Sequence, residues 1–287
     1  MKRKKIRAFD ITLGVIMVLI SLIFLLPFWI IVVSSLSDNF KLITNGISIW
    51  FQGFSFDGYK LLFGLSDKFI RSIWVSLYSS FFSAILSVIA CTLCAYALSK
   101  KYLVGRNLLT LFVLIPMFFS GGTVPLYLVV RGIGLYNTIG ALILPGMVSS
   151  YYIVLMRNFF YGISESLEEA AQLDGANDIQ VFGHIYLSLS IPMMCAIGCM
   201  KFVGQWNSWL PSLLYLGASK EHLWTVQYVL RQMLHDMKVL VGANATDAPT
   251  ISAQNAAIVV VVLPLILMSP ILHKYFSAGM TMGAVKG

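Results

Sequence analysis

The chain has 287 residues, 58% of them hydrophobic and only 11% charged, whereas about a quarter of the residues in soluble domains carry charge. A water-soluble fold could not hide that much apolar surface, and the apolar residues fall in runs of the length an α-helix needs to cross a bilayer, about 20 residues at 1.5 Å each. The net charge of +8 does not point to nucleic acid, because the basic residues gather at the ends of apolar runs, where they orient membrane helices.

Residues 1–10 form a basic tail with Lys2, Arg3, Lys4, Lys5 and Arg7. The run Ile11–Ser35 is too long for the core of a cleaved signal and no small-x-small cleavage site closes it, so it is expected as a retained first helix. Further spans are predicted over Ile70–Ser99, Leu108–Val130, Thr138–Phe159, Ser188–Leu214 and Ala256–Leu272. The expectation is an all-α membrane protein of six transmembrane helices, its membrane domain covering 11–272 and a tail covering 273–287. Six spans put both termini on one side, and the basic N-terminus, the Lys100–Arg106 turn and the tail with Lys274 and Lys286 make that side the cytoplasm.

In the second span Ser72, Ser76, Ser79, Ser83, Ser87, Cys91 and Cys94 recur every three or four residues. Such a stripe of small side chains lets a neighbouring helix approach closely in lipid. Cys91, Cys94, Cys195 and Cys199 all lie in apolar runs and are expected to fill helix contacts, not to hold zinc or act in redox chemistry. Pro116, Pro125, Pro145, Pro192, Pro211, Pro264 and Pro270 interrupt the later spans. Each removes a backbone donor, either as a kink near a helix end or where the backbone lines a water-filled path.

Between the fourth and fifth spans lies ISESLEEAAQLDGANDIQVFGHIYLSLSIP, from Ile163 to Pro192. Ser166 and Glu169 have capping-box spacing, which predicts a short helix from Leu167 with Leu167, Ala170, Ala171 and Asp174 on one face. Gly175 suits a left-handed helix end, and Asn177 or Asp178 can cap a second helix carrying Ile179, Phe182 and Ile185. The expected unit, about 163–187, is helix, glycine bend, helix.

This segment resembles the EAA motif of ABC-importer permeases. Glu169, Ala170, Ala171, Gly175, Ile185 and Leu187 match in register, and Ser188 stands where the motif ends in proline. FFSGGTVPLYLVVRGIGLYNTIGALILPG from Phe118, VGQWNSWLPSLLYL from Val203, VQYVLRQML from Val226 and the ending YFSAGMTMGAVKG are similar to the carbohydrate branch of these permeases, of maltose type and LplC-like. The resemblance implies the MetI-like permease fold, with the segment acting as a cytoplasmic coupling loop. It further implies a second homologous permease subunit, a cytoplasmic ATPase dimer that takes up the loop, an extracellular solute-binding lipoprotein and a saccharide substrate. No cofactor is expected on this chain, because it carries no G-x-x-x-x-G-K-[ST] loop; ATP and Mg²⁺ belong to the ATPase. In the family the tail from Met280 to Gly287 reaches toward the ATPase.

Glu168, Glu169, Asp174 and Asp178 sit in this loop with no base or metal-ligand spacing beside them, which favours contacts to the ATPase over catalysis. His184, His222, His235 and His273 form no motif, so no enzyme site is expected. Lys201 lies inside the fifth span, where a charge is costly. It faces either a substrate path or snorkels to the interface. Gln205, Trp206, Asn207 and Trp209 combine aromatic faces with amides, the mixture a saccharide path uses, although tryptophan is equally an interfacial anchor. An ion-coupled secondary transporter is the competing reading; it usually shows internal repeats and carboxylates within the membrane, while every acidic residue here lies outside the predicted spans.

Overall fold

The computed structural model describes residues 8–64, 67–240 and 250–283; the basic cluster at 2–7 and the end of the tail at 284–287 lie outside them. Fourteen α-helices follow in order among the described residues: α1 Ala8–Ser35, α2 Asn39–Asn45, α3 Asp57–Gly64, α4 Asp67–Ser99, α5 Arg106–Phe118, α6 Thr123–Gly132, α7 Gly140–Ile143, α8 Ser150–Phe160, α9 Glu165–Leu173, α10 Asp178–Val181, α11 Leu187–Trp206, α12 Leu210–Tyr215, α13 Val226–Leu240 and α14 Ile251–Gly283. Among these residues there is no strand, and the one β-bridge pairs Ser37 with Phe54. The fold is all-α.

By length and apolarity, four stretches of helix can cross a membrane unbroken: Thr12–Ser35, Asp67–Ser99, Asp178–Trp206 and Ile251–Pro270. The other expected spans are interrupted. Leu108–Val130 is divided between α5 and α6, which meet at 117° across Phe119–Gly122. Thr138–Phe159 is divided between α7 and α8, and the distal part of Ser188–Leu214 breaks at Asn207–Trp209 before α12. The breaks coincide with Gly121-Gly122, Pro145-Gly146 and Asn207-Ser208, residue pairs that favour turns whatever the hydropathy around them.

The chain divides into two units. The first holds Met1–Phe69 and Leu230–Leu263. In it the segment after α1 is folded back: Asp38 donates its N–H to Gly53 O at 2.8 Å and caps α2 by accepting from Lys41 N, while Ser35 Oγ and Tyr59 Oη lie 2.9 Å apart. Gln254 of α14 donates to the Met233 carbonyl of α13 at 2.8 Å. The surface of α1 from Leu13 to Trp29 is exposed throughout, as a helix presented to lipid or to another subunit would be.

The second unit holds Ile70–Val229 and Pro264–Gly287. The small-residue stripe of α4 is buried there from Ser72 to Cys91, whereas Cys94 is exposed. Ser76 Oγ accepts the N–H of Val226, the first residue of α13, at 2.8 Å, so one serine both admits the neighbouring helix and holds its start. Asn137, at φ +61°, accepts from Gly217 N at 2.7 Å and donates its own N–H to Tyr215 O, tying the turn before α7 to the end of α12. A core formed by Cys91, Ala95 and Leu98 of α4, Ile153, Met156 and Phe160 of α8, and Val181, Tyr186 and Ile197 packs against Ile163, Ala171, Ala176, Phe182 and Ile185 of the EAA-like segment.

Candidate functional site

The EAA-like segment folds as helix, bend, helix. Its first helix, α9, starts two residues earlier than expected: Ser164 has N-cap geometry, Glu165 opens the helix, and Ser166 Oγ lies 2.8 Å from Ser164 Oγ. The Ser166/Glu169 capping box therefore does not form. An acid in the first turn is stabilised by the helix dipole, which makes Glu165 a better opening residue than Leu167. The bend is as the sequence indicates. Gly175 has φ +84°, Ala176 N donates to Ala171 O at 2.9 Å and Gly175 N to Gln172 O at 3.0 Å, the paired bonds of a Schellman end. Asn177 then caps α10, accepting from Gln180 N at 2.9 Å while Gln180 Oε1 accepts from Asn177 N at 2.9 Å. Asn177→Ala is expected to lower the thermal stability of the chain by about 1 kcal/mol, read as a shift in the melting of the purified protein.

The second helix does not end. A π-helical turn, Phe182–Tyr186, carries α10 straight into α11. Ile185 and Leu187 sit where the loop becomes the span, and Ser188, which unlike proline keeps its backbone donor, lies within the helix. The inserted residue of a π turn shifts the helical phase. Val181 and Tyr186 consequently point to the core, with Phe182 and Ile185 half-buried against it, while Ile179 is 81% exposed. Ile179, Phe182 and Ile185, carried on the second helix as expected, thus differ in burial.

The face expected for Leu167, Ala170, Ala171 and Asp174 is divided. Ala171 packs against the core, whereas Leu167, Ala170, Asp174 and Leu173 face out, Leu173 with 89% of its surface free. Glu168 turns inward. Lys100 Nζ donates to its Oε1 at 2.6 Å, Tyr186 Oη to its Oε2 at 2.7 Å, and the Lys100 ammonium lies over the Tyr96 and Tyr186 rings at 4.5 and 4.3 Å from their centroids. Burial raises the Glu168 carboxyl, but the hydrogen bonds from Lys100 and Tyr186 and the lysine charge outweigh it and hold the group below the usual glutamate range. Glu169 faces solvent.

A second site lies where the helix breaks meet. A cavity of about 550 Å³ is walled by Pro116 and Met117 at the end of α5, by Gly146 and Val148 to Tyr152 between α7 and the start of α8, and by Lys201, Gly204, Gln205 and Ser208 at and just beyond the end of α11. Irregular backbone at membrane depth is tolerated where it lines such a space. Lys201, half-buried, donates to Gly146 O at 2.6 Å, and Gln205 Nε2 donates to Leu142 O at 2.8 Å. Both side chains come from consecutive turns of α11 and cap carbonyls freed by the α7–α8 break.

Residues 98–282 match the family model described as the binding-protein-dependent transport system inner membrane component. The chain belongs to this family. The matched range includes both sites. The permease is 33% identical to the polygalacturonan/rhamnogalacturonan transport system permease protein YtcP of Bacillus subtilis, over 99% of this chain and 100% of that one. It is 35% identical to protein LplC of the same organism, over 98% and 96%. It superposes with a TM-score of 0.85 and 28% identity on a chain of a bacterial ABC transporter involved in the import of the acidic polysaccharide alginate, covering 96% of this chain and 99% of that one. The MetI-like fold expected from the motif is confirmed.

Of the path residues expected from sequence, the permease brings Lys201 and Gln205 to the cavity wall. Trp206 is fully buried and stacks on Phe202 at 6.3 Å, so it offers no face to a passing sugar. Asn207 ends α11 and accepts from Gln227, and Trp209 begins the turn into α12; neither lines the cavity. Tyr151 and Tyr152, which do line it, escaped the sequence reading. Their signal was the Pro145-Gly146 pair, which marks a broken backbone just ahead of two aromatic residues.

Proposed function

We propose that this permease is one of two homologous membrane subunits of an ATP-driven carbohydrate importer, with its termini and its α9–α10 loop in the cytoplasm. A cytoplasmic ATPase dimer, which holds ATP and Mg²⁺, takes up that loop, and an extracellular binding lipoprotein delivers an oligosaccharide. The names of the relatives, a polygalacturonan/rhamnogalacturonan permease and an alginate importer, support the substrate class. The observation that carries the coupling role is a loop held from behind and open in front. Glu168 and Ala171 fasten α9 to the core, while Glu169, Ala170, Leu173 and Ile179 present acid and bare apolar surface outward. Asp174, Gly175, Ile185 and Leu187 set the direction of that face. Closing the ATPase pair would draw two such loops together and shift the helices between their outward and inward arrangements.

Co-purification and uptake test this reading. Ala170→Trp puts an indole on the docking face and should weaken ATPase capture about 5- to 150-fold, the 1–3 kcal/mol typical of overpacking; Leu173→Asp should act in the same direction. Ala171→Trp should instead lower the melting temperature of the chain itself. ATPase capture unchanged in Ala170→Trp and Leu173→Asp would remove this face as the docking element. ATP-dependent uptake of oligosaccharides by liposomes holding all subunits, and by none holding this chain alone, is the accompanying functional result.

A further inference from the structure

Lys201 stands about 20 Å along α11 from Leu187, in the wall of the cavity at the helix breaks. Its ammonium donates to the neutral carbonyl of Gly146, and among the described residues no carboxylate forms an ion pair with it. None of the residues lining the cavity is acidic. A positive charge at this depth is costly unless it meets water or an anion, and a capping role alone would be filled by a neutral donor, as Gln205 does one turn further on. The place is also kept open for it: a Cβ added at Gly146 would lie 2.9 Å from Lys201 Nζ. Around the ammonium, Ser149, Ser150, Tyr151, Tyr152 and Ser208 supply hydroxyl and aromatic groups to the same space.

We propose that this cavity is a saccharide subsite and that Lys201 selects sugars bearing a carboxylate, that is, uronate-containing oligosaccharides. The inference rests on the importer reading above. One ammonium balances one carboxylate, whereas a phosphate ester would bring a second charge with no cation to meet it. The aromatic and hydroxyl groups contact the rest of the ring. In passing, the carboxylate takes the place of the Gly146 carbonyl on Lys201, so the ammonium is never without an acceptor.

The test is ATP-driven uptake by the complete transporter in liposomes, with maltotriose and arabinotriose as neutral sugars and trigalacturonate and trimannuronate as uronate-bearing ones. The wild type should import a uronate-bearing sugar. Lys201→Met should lower that uptake at least about tenfold, as expected for loss of a hydrogen bond to a charged group, with the yield of assembled complex unchanged. Lys201→Arg should restore it. Import of neutral sugars alone, unchanged uptake in Lys201→Met, failure of Lys201→Arg to restore it, or loss of complex yield in Lys201→Met would each overturn the inference while leaving the importer reading intact. ATP-driven uptake of none of the four sugars by the wild type would overturn the importer reading itself.

Discussion

Gly175→Val in the assembled transporter is expected to lower ATP-driven saccharide uptake and substrate-stimulated ATP hydrolysis together, by about tenfold or more. The glycine sits at φ +84° with open space around it; no atom lies within 4 Å of where a Cβ would go. The effect is therefore one of backbone alone. An ordinary side chain in the left-handed region costs about 1–2 kcal/mol, and a β-branched one is more strained still. The Schellman bonds from Gly175 and Ala176 would open, and α9 would no longer meet α10 at its present angle. The series Gly175→Asn, Gly175→Ala and Gly175→Val should show uptake falling in that order, because asparagine tolerates this conformation. Equal uptake across the series would mean that the bend is not needed for coupling.

Lys100→Met should strongly destabilise the chain. It removes the ammonium from between Tyr96 and Tyr186 and leaves the Glu168 carboxylate, 16% exposed, without its counter-charge. Breaking a buried pair by deleting one partner costs about 3 kcal/mol or more, enough to reduce the amount of folded chain in the membrane. The double variant Lys100→Met/Glu168→Gln should recover much of that loss, since no charge is then stranded. The pH dependence has a definite sign. The folded-state carboxyl is held below its ordinary value near 4.5, so its stabilising contribution is fully present above that value and disappears as pH falls through the depressed one. Melting curves of the wild type should lose stability below about pH 4.5, and Glu168→Gln should flatten that part of the profile. By contrast, the exposed Lys101–Glu165 pair lies on the surface and its removal should be close to neutral.

The parts legible in the sequence were those fixed by neighbours in the chain. Gly175 and Asn177 act through bonds to residues within five positions, and the serine stripe of α4 follows from helical period alone. Where two local signals competed, as Ser164-Glu165 and Ser166-Glu169 did, the choice depended on dipole and packing together, and spacing selected the wrong one. The breaks at Phe119–Gly122, Leu144–Ser149 and Asn207–Trp209 lie between apolar stretches, so hydropathy read each pair of stretches as one span, although Pro116 and Pro145 already marked interruptions near the first two. Lys100 and Glu168 meet across 68 positions. No periodicity connects them, so the inward turn of Glu168 and the outward turn of Glu169 could not be told apart from spacing.

The uninterrupted passage of α10 through the π turn into α11 has a mechanical meaning. One rod joins Asp178, beside the surface proposed to meet the ATPase, to Lys201 in the cavity, about 35 Å away at helical rise. Pivoted near its loop end, such a rod magnifies small movements: a tilt of about 10° sweeps the lysine through roughly 6 Å at that rise, more than the length of a hydrogen bond. The clamp of Tyr186 on Glu168 lies beside the pivot, where leverage is least and the strain per degree of rotation is smallest. For the same tilt the Tyr186 clamp, about 12 Å from Asp178, would move roughly 2 Å, a third of the distance travelled at Lys201.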